Sequence, residues 1–166
     1  MGIENLGWLG ALIAGHPRHQ VVGRTRLQKT VWLLQRLGLP TNYSYSLHFY
    51  GPYSEELKTD IGLAEDFGLI SEEQQTAQDG TEYFLLHAEP SELFPSIEPF
   101  RRSLEILAQK EPVVLELAAT YDAFRKMGLD HQSALESLRA KKGDKCLGGR
   151  EVAALELLRA LGLLAD

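Results

Sequence analysis

The sequence predicts an α+β fold that is mainly α, and three observations carry that reading. Apolar residues recur every three or four positions through most of the 166 residues, the pattern of helices that bury one face. Strict alternation of apolar and polar residues is confined to "YSYSLHFY" at residues 43–50 and to the later runs "LISEEQ" and "TEYFLLH". Glycine and proline fall mostly between these segments. A composition of 44% apolar and 24% charged residues is that of an ordinary globular chain with a core to bury.

Ile3, Leu6, Leu9 and Ile13 mark a first amphipathic helix that ends near Gly15, where "GHPRHQVVG" breaks the pattern. Leu27, Val31 and Leu34 in "RTRLQKTVWLLQRLG" mark a second, stopped by Gly38 and Pro40. In "YSYSLHFY", Tyr43, Tyr45, Leu47 and Phe49 share one face and Ser44, Ser46, His48 and Tyr50 the other, which reads as one half-buried strand. Gly51-Pro52 then leads into a third helix, with Ser54 as N-cap and Glu55 and Glu56 at the positive end of the helix dipole. Leu57, Ile61 and Ala64 face inward until Gly68 stops it. The two later alternating runs, joined through Asp79-Gly80, read as a β-hairpin.

The prolines of "AEPSELFPSIEPF" mark a boundary, giving an N-terminal domain over residues 1–88 and an all-helical C-terminal subdomain over 89–166. In the second part Ile97, Phe100, Leu104 and Leu107 mark one helix, and Val114, Leu117, Tyr121 and Phe124 another. Shorter helices follow around Leu135 and Leu138 and over residues 150–164. The last carries Val152, Leu155, Leu157, Leu158, Leu161 and Leu164, a stripe wide enough to serve the core or a protein interface.

Helix, helix, strand, helix, hairpin is the order of a winged-helix-like domain with an extra strand between its second and third helices. The segments "GRTRLQKTVWLLQRLGLP", "YSLHFYGPYSEEL" and "GLI" resemble the YwgA-like family of bacterial proteins. The matching residues are Gly23, Arg24, Leu27, Gln28, Lys29, Phe49, Tyr50, Gly51, Pro52, Tyr53 and Ser54. A more distant similarity is to the SocA-like antitoxin domain called Panacea, from which this chain departs by its longer helical C-terminus. The family supplies no activity to carry over, so the resemblance implies a fold and a regulatory role.

In a winged-helix domain the third helix and the hairpin are the elements that meet DNA. Here the third helix offers Glu55, Glu56, Asp60, Glu65 and Asp66 against Lys58, and the hairpin carries Glu72, Glu73, Asp79 and Glu82 without Lys or Arg. With a net charge of -6, nucleic-acid binding by that route is disfavoured, because phosphate contacts need cations. Basic residues cluster instead in "HPRHQVVGRTRLQK", with Arg18, Arg24, Arg26 and Lys29, and in "RAKKGDKCLGGR".

The sequence supplies no catalytic or metal-binding constellation, and neither a cofactor nor a metal is expected. His16 and His19 are a pair without further ligands nearby. Ser54 reads as a cap rather than a nucleophile. Cys146, beside Lys145, is in a setting that favours a depressed thiol pKa, yet it lacks a base partner. A single cysteine allows no internal disulfide, and with no apolar run of about 20 residues a cytoplasmic, non-membrane protein is expected. The expected function is therefore a non-enzymatic regulatory or antitoxin-like module that acts through a protein partner or self-association. The alternative is a DNA-binding transcriptional regulator using the basic segment 16–29. The candidate binding residues are Arg24, Arg26, Lys29, His48, Tyr50 and Tyr53; His48, Lys29 and Tyr50 are also the residues around which a small enzyme would be built, with His48 otherwise a hydrogen-bonded structural histidine.

Overall fold

The computed structural model describes residues 2–165. The fold is α+β and mainly helical: α1 (Gly2–Ala14), β1 (Gln20–Val22), α2 (Arg24–Arg36), β2 (Ser46–His48), β3 (Gly51–Tyr53), α3 (Glu55–Asp66), β4 (Ser71–Thr76), β5 (Glu82–His87), α4 (Arg101–Ala108), α5 (Pro112–Lys126), α6 (His131–Lys142) and α7 (Arg150–Leu161). An antiparallel sheet runs in the order β1-β5-β4, with Val21 opposite Leu86 and the β4–β5 ladder running from Ser71–His87 to Thr76–Glu82. Strand β1 lies inside "GHPRHQVVG", which the sequence presents only as a break. Three residues are too few to show a period, and the partner strand lies far along the chain.

The single strand expected over residues 43–50 is instead a hairpin. Only Ser46–His48 joins a ladder, and it pairs with Gly51–Tyr53 across a tip formed by Phe49 and Tyr50. Gly51-Pro52 is thus part of strand β3 rather than only a turn into the helix. The expected burial holds for Tyr43 and, in part, Tyr45 and Leu47, then fails at Phe49, which is 77% exposed because the chain has already begun to reverse.

At the end of α1, His16 and His19 satisfy helix carbonyls that have no partner inside the helix. His16 Nδ1 is 2.7 Å from Leu12 O and His19 Nδ1 is 2.6 Å from Ala14 O. His16 is buried, and burial, opposed by the Leu12 bond, pulls its pKa below the usual value, so the ring stays neutral. The proline-rich segment after Ala88 packs along α1. A Cβ at Gly10 would lie 2.4 Å from the Phe94 ring, and one at Gly15 would lie 2.4 Å from Ile97 Cδ1. Gly10 in α1 and Gly15 just past its end therefore let this segment approach the helix, and one hydrophobic core runs from α1 to α7.

Helix α5 is the centre of that core. Every residue from Val114 to Phe124 is buried, because α2, α6, α7 and β3 surround the helix. Leu155, Leu157, Leu158 and Leu161 of α7 are buried in the same core, while Val152 remains exposed. A helix buried on all sides leaves its polar residues with nowhere to be solvated, so each needs a partner. Asp122 has two: Trp32 Nε1 donates to it at 3.0 Å and Arg36 Nε at 2.8 Å. Glu116, two turns earlier, organises the site described next.

Candidate interaction site

The hairpin β2–β3 is held by side chains from α2, α5 and α6. Gln28 exchanges two hydrogen bonds with the backbone of Ser54: its Nε2 donates to Ser54 O and its Oε1 accepts from Ser54 N, both at 2.9 Å. Lys29 Nζ donates to Pro52 O at 2.7 Å. Ser54 Oγ then accepts from Leu57 N at 3.1 Å, the N-cap expected for α3. The Leu-Gln-Lys and Gly-Pro-Tyr-Ser segments thus explain each other, because the first clamps the backbone of the second.

From the other side, Lys142 Nζ donates to Phe49 O at 2.9 Å and lies 2.8 Å from Glu116 Oε2. Lys145 Nζ is 3.0 Å from the same oxygen and 4.9 Å from the centre of the Tyr50 ring. Thr120 Oγ1 donates to Glu116 O at 2.7 Å, and Gly51, at φ +99°, passes directly over that hydroxyl. The result is a buried carboxylate among lysines, with Glu116 5%, Lys29 1% and Lys142 7% exposed. Burial pushes the Lys29 ammonium down to about 8; nearby Glu116 opposes the shift and Lys142 adds to it. Lys142 is lowered as well, again chiefly by burial.

This geometry predicts a pH signature. Unfolded Lys29 holds its proton up to about 10.5 and folded Lys29 only to about 8, so between those values the unfolded chain binds more protons and stability rises with pH. Below pH 8 the full burial penalty is present, on the order of 3 kcal/mol for such a shift. A Lys29→Met variant should stay within about 2 kcal/mol of the parent at pH 7, since relief of desolvation offsets the lost bond to Pro52. It should then fall behind the parent as pH rises from 8 to 10.5, as urea unfolding at stepped pH will read.

The six residues singled out from sequence fall into three settings. Lys29, Tyr50 and the Tyr53 strand belong to the clamp, although Lys29 points at a backbone carbonyl rather than at solvent. His48 is not a hydrogen-bonded structural histidine: it is exposed and stacks on Tyr53, with ring centres 4.9 Å apart. Arg24 and Arg26 have internal partners. Arg24 forms a two-point ion pair with Glu72 of β4 and lies 4.2 Å over the Phe84 ring. Arg26 donates to Leu107 O at 3.2 Å and Lys110 O at 2.6 Å, answering carbonyls at the end of α4. In the second basic group Arg139 pairs with Glu151 at 2.7 Å, and Arg150 bonds the backbone oxygens of Lys145 and Asp144. Cys146 corrects the expectation of a depressed thiol: burial first, and Glu151 second, push its pKa up.

Sequence reasoning missed Gln28 as a clamp and Glu116, Thr120, Lys142 and Lys145 as its second half. One signal was present: Glu116 and Asp122 stand inside the apolar run "PVVLELAATYDAF", and carboxylates in an otherwise buried helix require buried cations.

At the tip, Phe49 is 77% and Tyr50 54% exposed, and their rings meet edge to face at 5.0 Å. No group of three or more His, Cys, Asp or Glu that could hold a metal occurs among the described residues, and no helix of the structure is long and apolar enough to cross a membrane. Neither a family model nor a solved structure matches the chain. Over 53 residues it is 38% identical to the uncharacterized protein YwgA of Bacillus subtilis strain 168, a stretch that covers 32% of this chain and 32% of that protein. The match spans about a third of each length, and this partial similarity supports a YwgA-like relationship.

Proposed function

We propose that this chain is a non-enzymatic, antitoxin-like regulatory module of a bacterium, winged-helix-like in its N-terminal part, that binds a protein partner through the β2–β3 hairpin. The observation that carries it is the pair of exposed aromatic rings, Phe49 and Tyr50, on a backbone pinned by Lys29 and Lys142. Solvent-exposed rings on a rigid loop lose little entropy on docking and bury about 150–250 Å² each, which makes them natural anchors. Lys145 beside Tyr50 suits a partner with an apolar cleft and acidic rim.

The winged-helix part of the reading rests on the order α1-β1-α2-α3-β4-β5 and the sheet order β1-β5-β4, with β2–β3 as an insertion between the second and third helices. The surface that would meet DNA in such a domain is acidic here. On α3, Glu55, Glu56, Glu65 and Asp66 are exposed, and beside them Leu63 and Phe67 reach solvent; on the hairpin, Glu73, Asp79 and Glu82 are exposed. Carboxylates facing phosphates repel, whereas apolar residues among carboxylates suit a protein surface.

The test is affinity capture from a bacterial lysate, followed by calorimetry with the captured protein. Phe49→Ala and Tyr50→Ala should each weaken the complex about 30-fold or more, the scale of a hot-spot residue, while Leu93→Ala should leave it unchanged. Binding of duplex DNA at near-physiological salt, lost on Arg24→Ala or Arg26→Ala, would instead establish the transcriptional-regulator alternative that uses residues 16–29.

A further inference from the structure

A cavity of about 330 Å³ opens where α5 and α7 end and α6 begins. Arg125 in the last turn of α5, His131 as the first residue of α6 and Arg159 in the last turn of α7 line it, together with Leu163, Leu164 and Ala165. Three helices thus bring donor side chains to one opening that is lined by no carboxylate among the described residues. Asp130, close enough to feel both Arg125 and His131, caps α6 instead, accepting from Ser133 N at 2.8 Å. The volume lies at the lower end of the range of small-molecule sites.

Behind the opening, the hydroxyl of buried Tyr121 fixes two of the three donors. Arg125 Nη1 donates to Tyr121 Oη at 2.9 Å, and the same oxygen stands 2.6 Å from His131 Nδ1. A guanidinium only donates, so the Tyr121 proton goes to Nδ1, no other acceptor meeting it among the described residues. The neutral ring then carries its hydrogen on Nε2, and the protonated ring carries one there as well. In both states His131 keeps an N–H for an acceptor outside this network. The guanidinium of Arg159 is exposed and has neither an ion pair nor a hydrogen bond among the described residues. Arginines near helix C-termini also complement the helix dipole, but the carbonyls there are already taken. Leu129 N donates to Phe124 O at 3.2 Å, and Leu163 N to Leu158 O at 2.8 Å. The dipoles alone do not call for two arginines of separate helices at one opening, with a donor ring beside them.

We propose that this cavity binds a small phosphate monoester, its phosphate held by Arg125, Arg159 and His131 and its apolar substituent resting on Leu163 and Leu164. Two guanidinium groups that stay charged at any physiological pH match the charge of a dianion. One arginine fork already satisfies a carboxylate, whereas donors from three helices suit the three terminal oxygens of a phosphate. Leu163 and Leu164 are half-buried, which leaves apolar surface for a ring or short chain to cover. No residue of the β2–β3 hairpin lines this cavity, so the site holds or fails independently of the partner reading.

Calorimetry slightly above neutral pH, where a phosphate monoester is close to a dianion, separates the contacts with three probes: phenyl phosphate, phenyl sulfate and inorganic phosphate. Phenyl phosphate should bind at one equivalent with a submillimolar Kd, a reasonable affinity for a ligand of that size. Phenyl sulfate keeps the shape with less charge, and inorganic phosphate keeps the charge without the ring; each should bind several-fold more weakly. Arg159→Met should weaken both phosphates by about tenfold, the scale of one charge-assisted contact. Leu164→Ala should weaken phenyl phosphate about threefold, the scale of a buried methylene, and leave inorganic phosphate unchanged. Because Arg159 is exposed and has no partner to lose, Arg159→Met should melt close to the parent, so lost binding there is not lost fold. Absence of saturable phenyl phosphate binding at millimolar concentration, or undiminished binding by Arg159→Met, overturns the assignment. Equal affinity for phenyl phosphate and either other probe, or indifference of phenyl phosphate to Leu164→Ala, overturns it as well.

Discussion

Glu116→Gln should destabilise the protein by about 3–5 kcal/mol, the cost of removing one partner from a buried ionic cluster. Lys142 and Lys145 lie 2.8 Å and 3.0 Å from Glu116 Oε2, and Lys29 is held charged in part by the same carboxylate. Glutamine keeps the shape and an acceptor oxygen but removes the charge. What remains is a group of ammonium ions that repel one another with little water near two of them, since Lys29 is 1% and Lys142 7% exposed. Unit charges about 4 Å apart at an effective dielectric near 20 interact by roughly 4 kcal/mol, so the lost attraction is comparable with the predicted effect. For a chain of this size the melting temperature should fall on the order of 10 °C.

The same argument fixes a rescue. Replacing a buried ion pair by apolar groups of similar volume is often close to neutral, so Lys142→Met in the Glu116→Gln background should restore more than half of the loss. The double-mutant cycle, read by urea unfolding, gives the coupling directly. A single-variant loss below about 1 kcal/mol, within the range of exposed pairs, would mean that the lysines are solvated and that the cluster does not hold the hairpin.

How much of this was legible in the sequence follows the separation of the partners. The cap of α3 was, because Ser54 and Leu57 are three residues apart and the residue types alone state the geometry. The inward faces of α2 and α3 were, because helical periodicity is a local property; Leu27, Val31, Leu34, Leu57, Ile61 and Ala64 are all buried. Strand β1 and the hairpin β2–β3 were not, because three-residue strands carry no periodic signal and exist through pairing. The clamp was still less so: Lys29 meets Pro52 across 23 positions and Lys142 meets Phe49 across 93. The two basic runs look alike as charge clusters, and only the fold separates Lys142, buried against Glu116, from Lys141, which is exposed.

Gly51→Ala should be the other severe change, with a loss of about 2–5 kcal/mol from two separable causes. The first is backbone: at φ +99° any residue with a Cβ is strained by about 1–2 kcal/mol. The second is space, since a Cβ there would stand 2.5 Å from Thr120 Oγ1 and 3.7 Å from Lys29 Cε, and overpacking of this kind typically costs about 1–3 kcal/mol. Thr120 cannot swing away freely, because its hydroxyl is committed to Glu116 O at 2.7 Å and the residue is fully buried. Truncation at Thr120 separates the terms. In a Thr120→Ala background the clash disappears and the backbone strain stays, so Gly51→Ala should then cost only about 1–2 kcal/mol. If the loss is the same in both backgrounds, the close approach of β3 to α5 is not what requires glycine, and φ alone accounts for it. Because Gly51 directly follows the exposed Phe49-Tyr50 tip, the single variant should also weaken the partner binding proposed for that tip beyond what its remaining folded fraction explains. The rings would then be presented on a backbone displaced from the lysines that fix it.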